Sequence, residues 1–197
     1  MSRAEFFDHA AAEWDARANA TTGERLREFL GRLDLPRGGR VLDVGSGTGI
    51  LIPLLRDALG PRGQIVAVDI AAEMLRLARA RHGDLGLRFV CADAATLAEP
   101  RQSYDAIICN AVIPHFEDLS AALQHLATLL RPGGVLAICH AIPRERVNAI
   151  HRAGPPAIQQ DQLPPGEAVA SMLRAAGLQV DTVEDTEHHY FLRARVP

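Results

Sequence analysis

The segment that most constrains this chain is Val41-Leu42-Asp43-Val44-Gly45-Ser46-Gly47-Thr48-Gly49, a short apolar run that breaks into three alternate glycines. Val41–Val44 reads as a buried strand. Glycines at 45, 47 and 49 let the backbone turn sharply and approach a ligand with no Cβ in the way. A helix is predicted to follow over about 49–59. A ligand of such a strand-turn-helix unit sits outside the strand's carboxyl end, at the helix N-terminus. The spacing narrows the ligand further. A dinucleotide fingerprint requires its third glycine three residues after the second, and that position is Ile50. The G-x-G-x-G spacing therefore argues against a nicotinamide or flavin pyrophosphate.

The same strand-helix rhythm continues for about 100 residues. Gln64–Val68, Arg88–Cys91, Tyr104–Cys109 and Val135–Cys139 read as further strands. Helices are predicted over about 71–82, with Met74, Leu75 and Ala78 inward, and over about 119–130, ending at Arg131-Pro132-Gly133-Gly134. Alternation of this kind builds right-handed crossovers and a mostly parallel sheet covered on both faces. Two helices are predicted ahead of it, about 4–18 and about 22–33, the second capped by Thr22. Beyond 142 come a helix at about 143–153, the Pro-rich stretch Gly154–Pro165 and a helix at about 166–176. Strands at about 178–184 and 189–196 follow, joined by a link short enough for an antiparallel hairpin. The expected fold is one α/β domain with seven strands, the last antiparallel. Residues 1–35 form a helical cap, 36–142 a ligand-binding core, and 143–197 the acceptor-side helices and hairpin.

Composition excludes several chemistries. All 21 basic residues are Arg, so no Schiff-base lysine, pyridoxal-phosphate anchor or P-loop lysine exists. A net charge of −3 supplies no global field for nucleic acid or an anionic membrane. No signal pattern and no membrane-length apolar run is present. Cys91, Cys109 and Cys139 are too few for a disulfide framework and read as buried thiols in strands, which points to a reducing cytoplasm.

Acids mark the ends of successive strands: Asp43 in the first, Asp69 closing the second, Asp93 just past the third. A carboxylate at Asp69 is placed to accept both ribose hydroxyls of an adenosine. Asp93 can accept from an adenine amino group, with Ile70 and Met74 flanking the ring. With these residues on the page, the chain resembles the class I S-adenosylmethionine-dependent methyltransferases. The resemblance rests on Asp43–Gly49, Asp69, Cys91-Ala92-Asp93-Ala94, Tyr104-Asp105 and Leu130-Arg131-Pro132-Gly133-Gly134. It implies a Rossmann-like sheet with S-adenosylmethionine as cofactor. Asp43, Gly45, Ser46, Gly47 and Gly49 would face its methionine part, Asp69 its ribose, and Asp93 and Ala94 its adenine, with Asn110 and Ala111 beside the sulfonium. The segment Phe6-Phe7-Asp8…Trp14-Asp15 resembles the family's aromatic helix that caps the cofactor, and equally suits a core-packing helix.

The acceptor is less legible. Asn110-Ala111-Val112-Ile113 replaces the Asn/Asp-Pro-Pro-aromatic motif of enzymes that methylate base amino groups, so a small-molecule acceptor is expected. His115 is placed to act as a general base or to shape the pocket. His140 ends the fifth strand, and Arg144, Asn148 and His151 share one helix face. Asp161 lies in the Pro-rich loop and His188 at the start of the last strand. Three readings of this cluster stand open: a solvated helix face with unrelated histidines, an acceptor-binding or acid–base group, or a Zn²⁺ or Fe²⁺ site using His140, His151, Asp161 and His188. Phe7, Trp14, Arg144, Asn148, Asp161 and His188 are expected on the acceptor. A module that binds the cofactor without turnover, and a fold relative that uses the sulfonium otherwise, are the alternatives. Oligomeric state is left open.

Overall fold

The computed structural model describes residues 1–17 and 20–197. The sequence expectation of seven strands holds: β1 (Arg40–Val44), β2 (Gln64–Asp69), β3 (Arg88–Cys91), β4 (Tyr104–Asn110), β5 (Leu130–His140), β6 (Gln179–Asp185) and β7 (Tyr190–Arg195). They form one sheet in the order β3-β2-β1-β4-β5-β7-β6. The pairs from β3 through β5 are parallel, and β7 lies antiparallel between β5 and β6. The order reverses between β1 and β4, which opens a crevice above their carboxyl ends.

Helices α1 (Arg3–Ala10), α2 (Ala20–Gly31), α3 (Ile52–Leu59), α4 (Ala72–His82), α5 (Leu119–Leu129), α6 (Arg144–Ala153) and α7 (Gly166–Ala175) accompany the sheet. Strand residues alternate between two apolar layers, as a period of two requires. Leu42, Val44, Ile107 and Ile138 pack with Leu123 and Leu126 of α5 and Leu173 of α7. Val41, Ile65, Ala106 and Ile108 pack on the other face with Leu26 and Phe29 of α2 and Leu55 of α3. Each Val, Leu, Ile or Phe among them, once buried, contributes roughly 1.5–3 kcal/mol. Both faces are covered, as the near-continuous apolar strands require.

Several expectations need correction. The first helix ends at Ala10 and continues as a 3₁₀ segment over Ala11–Arg17, and its predicted end at 18 lies outside the described residues. The second begins at Ala20, so Thr22 lies inside it and does not cap it. The helix after the glycine turn starts at Ile52, because Gly45–Leu51 are consumed in turns. β5 starts five residues early, with Leu130 already paired to Tyr104. Cys91 is exposed, since β3 is an edge strand, whereas Cys109 and Cys139 are buried.

The N-terminal helix has a local cause that sequence patterning passed over. Ser2 and Glu5 form a reciprocal capping box that starts α1 at Arg3. α1 then docks on α4, where Asp8 accepts the backbone N–H of Glu73 at 2.7 Å. Phe7 and Trp14 close over Ala71 and Met74.

Candidate active site

A cavity of about 360 Å³ sits over the carboxyl ends of the parallel strands, at the β1/β4 reversal. The half over β1, β2 and β3 is built from backbone and acids. Gly45 has φ +64°, and a Cβ there would collide with Val112, so the turn tolerates no side chain. Asp69 accepts Gly47 N–H at 2.8 Å and Ala71 N–H at 2.9 Å, which ties the glycine turn to the end of β2. Burial raises the Asp69 carboxyl above its ordinary range, and these backbone donors pull against that rise.

Asp43 is 1% exposed and neither of its oxygens has a partner, and the buried Ser46 hydroxyl is equally unpaired. Burial, with the nearby Asp69 charge, pushes the Asp43 carboxyl up to about 7. Three buried oxygens without donors, on the wall of a cavity, call for a ligand that brings N–H groups. An α-ammonium suits them, so the residues fit the methionine end of S-adenosylmethionine. Ile70 and Met74 line the same half, as do Asp93 and Ala94. Asp93 also caps the short helix Ala94–Thr96 through Ala95 N–H at 2.8 Å. At the centre, Asn110 and Ala111 line the wall. Ala111 holds a left-handed φ of +54°, fixed by its N–H bond to Cys139 O at 2.9 Å. A strained non-glycine residue of this kind survives where neighbours over-determine it, commonly at a functional site.

The half over β4 and β5 is made of side chains brought from far apart. His115 ends the 3₁₀ turn Ile113–His115, and its Nδ1 lies 2.7 Å from Asp161 Oδ2. Arg3 Nη2 donates to the other Asp161 oxygen at 2.7 Å, and Arg3 Nε bridges both at 3.3 and 3.2 Å. Asp161 is buried; burial alone would raise its carboxyl, and the bonds from His115 and Arg3 outweigh that and lower it. His151 Nδ1 sits 2.9 Å from Asp161 O. A carbonyl oxygen only accepts, so His151 carries its proton on Nδ1 and keeps an Nε2 lone pair. A carboxylate likewise takes its bond from a proton on Nδ1 of His115, so that in the neutral ring Nε2 is the acceptor. The rings of His115 and His151 lie 5.0 Å apart, and Phe7 stands edge-on to His115 at 5.0 Å. His140 is buried with Nε2 unpaired; burial, and then His115 and His151, push it down to about 3. His151 is lowered by burial and then by His115, against a rise from Asp161.

The cavity wall includes His115, His140, His151, Phe7 and Trp14, as expected, together with every predicted cofactor residue except Gly49, where a Cβ would meet His82 and Ile52 at 2.8 Å instead. Arg144, Asn148, Asp161 and His188 are absent from it, and their roles need correction. Arg144 turns to Asp185 at 2.7 Å. Asn148 bonds the backbone of Leu163 in both directions and straps the Pro-rich loop down. Asp161 stands behind His115 and supports it. His188 precedes β7, its side chain is 69% exposed, and its carbonyl accepts from Arg25. His189 turns away as well, to Glu184 and Phe29. The proposed four-ligand metal set is thereby broken, and among the described residues no group of three His, Cys, Asp or Glu could hold a metal ion. Sequence reading missed Arg3, Phe116, Ile142 and Ile150. Only Arg3 had a signal, the Ser2-x-x-Glu5 box that sets its place in the helix.

A family model described as a methyltransferase domain matches residues 42–138. A malonyl-[acyl-carrier protein] O-methyltransferase of Acetivibrio thermocellus is 32% identical over 207 residues, covering 96% of this chain and 72% of the relative. A ubiquinone/menaquinone biosynthesis C-methyltransferase of Pseudomonas syringae is 36% identical over 143 residues, covering 68% of this chain and 56% of the relative. Among solved structures, a SAM-dependent methyltransferase from Aquifex aeolicus superposes with a TM-score of 0.77 at 22% identity, covering 96% and 98% of the two chains. Among the described residues no helix is long and apolar enough to cross a membrane. The glycine turn, the strand-end acids and these likenesses agree: the chain belongs to the class I S-adenosylmethionine-dependent methyltransferases, and it is an enzyme of that kind.

Proposed function

We propose that this enzyme methylates a small-molecule acceptor and that His115 removes the acceptor's proton. The observation that carries this is the 2.7 Å bond between His115 and Asp161 at the cavity wall. A buried carboxylate behind an imidazole fixes the ring's tautomer and stabilises the imidazolium that forms when the ring takes a proton. The relative named for ubiquinone/menaquinone biosynthesis supports a small acceptor.

S-adenosylmethionine, when bound, supplies a methyl group on a sulfonium that is already a good leaving group. The protein's task is therefore positioning and exclusion of water. In this reading Asp43 and Ser46 hold the α-ammonium, Gly45 and Gly47 let the backbone approach it, and Asp69 holds the ribose hydroxyls. Asp93 and Ala94 border the adenine, with Ile70 and Met74 on its faces. Asn110 and Ala111 lie beside the transferring methyl. Phe7 and Trp14 keep water out, and His140 and His151 present neutral rings to the acceptor.

Calorimetry with S-adenosylmethionine, and release of S-adenosylhomocysteine with candidate acceptors, test this reading. Micromolar binding with turnover that His115→Gln removes is the expected result. Binding without turnover across a broad acceptor panel would favour a non-catalytic module, and turnover untouched by His115→Gln would remove His115 from the chemistry.

A further inference from the structure

We propose that the acceptor is an uncharged, largely apolar molecule bearing one acidic hydroxyl of the phenol or enol type; this deepens, and rests on, the reading of His115 as the base. The argument is an inventory of charge around the cavity. Among the described residues lining it, the carboxylates are Asp43, Asp69 and Asp93, and all three belong to the β1, β2 and β3 half. The half over β4 and β5 presents one guanidinium, Arg3, and that group is committed to Asp161 by three hydrogen bonds. Glu117 also lies close enough to favour Arg3's charge.

An anionic acceptor would therefore meet no free cation and would lie near the Asp161 carboxylate. A cationic amine would meet no free carboxylate, since both Asp161 oxygens are taken by Arg3 and His115. It would face three imidazoles instead, two of which disfavour added positive charge through burial and mutual repulsion. Taking a charged group into such a site without a partner is costly. A neutral acceptor avoids that cost.

Much of the remaining wall is apolar, with Phe7, Phe116, Ile142, Val147 and Ile150, beside the uncharged Thr22 and Asn110. Ile150 is 48% exposed and stands with Ile50, itself 38% exposed, on the same cavity. Large apolar side chains open to water at a cavity mouth lower their free energy when an apolar ligand covers them. The acceptor's apolar part is assigned to that rim, with its hydroxyl towards His115. In the step itself the hydroxyl proton passes to Nε2 of His115. An oxygen electron pair forms the new bond to the methyl carbon, and the pair of the broken sulfur–methyl bond stays on sulfur. The imidazolium then returns its proton to solvent. An acidic hydroxyl suits this because an imidazole is too weak a base for an ordinary alcohol.

Three probes with one apolar tail separate the charge classes: para-hexylphenol, para-hexylbenzoate and para-hexylbenzylamine. Each is titrated calorimetrically into the full chain saturated with S-adenosylhomocysteine. The phenol is expected to bind at least about tenfold more tightly than either charged probe, and to yield its methyl ether with S-adenosylmethionine. Equal or tighter binding of the benzoate or the benzylamine overturns the proposal, as does failure of all three to bind. Ile150→Asp is expected to weaken phenol binding by about tenfold with S-adenosylhomocysteine affinity unchanged; unaltered phenol binding overturns the assignment of the rim. His115→Gln should keep phenol binding and lose the ether. An ether still formed by that variant would overturn the base while leaving the charge selection standing, and absence of S-adenosylhomocysteine binding would overturn the cofactor reading itself.

Discussion

The two halves of the cavity are built by opposite means. Over β1, β2 and β3 every predicted contact comes from a continuous stretch, and the bond that closes it joins Gly47 to Asp69, 22 residues apart. Over β4 and β5 the bonds span 46 residues from His115 to Asp161 and 158 from Arg3 to Asp161. The first half is built by successive strand-turn-helix units within residues 43–94. The second exists only after the N-terminal helix, the β4 turn and the Pro-rich loop have docked. In the proposed reading, a cofactor common to many enzymes is held by the first half and the variable acceptor by long-range assembly.

The sharpest way to break this division is to remove the proposed base. His115→Gln should lower turnover by about 10²–10⁴-fold while leaving S-adenosylmethionine affinity within about twofold, measured as S-adenosylhomocysteine release beside calorimetry. A fall in cofactor affinity as large as the fall in turnover would mean that the halves are not separable.

The next test uses pH, because one buried acid of each half shifts in the opposite direction to the other. Asp43 is raised to about 7, so the folded protein binds a proton there that the unfolded chain has lost. Its contribution favours folding below about pH 4 and is lost as pH rises through 7. Asp161 is lowered, so its contribution is present above the ordinary Asp range and is lost on acidification. Asp43→Asn should therefore stabilise the free protein at pH 8, by up to about 4 kcal/mol, and do little at pH 4. Asp161→Asn should destabilise it at pH 8. Urea midpoints across that range check both signs. Cofactor binding at pH 7 should also release a proton, visible as a buffer-dependent binding heat.

Asp69→Ala should weaken S-adenosylmethionine binding by ~1–3 kcal/mol through loss of a charged acceptor, with the acceptor side intact. Equilibrium titration decides it, and unchanged affinity would remove Asp69 from the ribose. The smallest effect is expected at Arg3. Its guanidinium is over a third exposed, so Arg3→Ala should cost no more than about 1 kcal/mol. Hydrogen exchange should nevertheless speed up in α1 and around Asp161 while β1 and β2 stay protected. Uniform protection would show that α1 docks without this latch.

How much of this was readable follows the same line. Seven strands, the antiparallel hairpin and the glycine turn and acids that line the first half of the cavity were legible because periodicity and glycine spacing are local signals. The errors lie where partners are distant. Arg144 and His151 share a helix face, yet Asp185 draws one outward while the Asp161 backbone holds the other inward. His188 and Asp161 had the residue types of metal ligands, and docking sent one to solvent and the other behind His115. Cys91 looked like a core thiol and is exposed because β3 forms an edge of the sheet.

By itself the sequence determined the parallel sheet, the glycine turn and the strand-end acids, since each depends on neighbours within a few residues or on a repeating period. Only the tertiary structure decided that Arg3, His115, His151 and Asp161 meet. That meeting depends on the angles at which four separate segments pack, and no single segment encodes them.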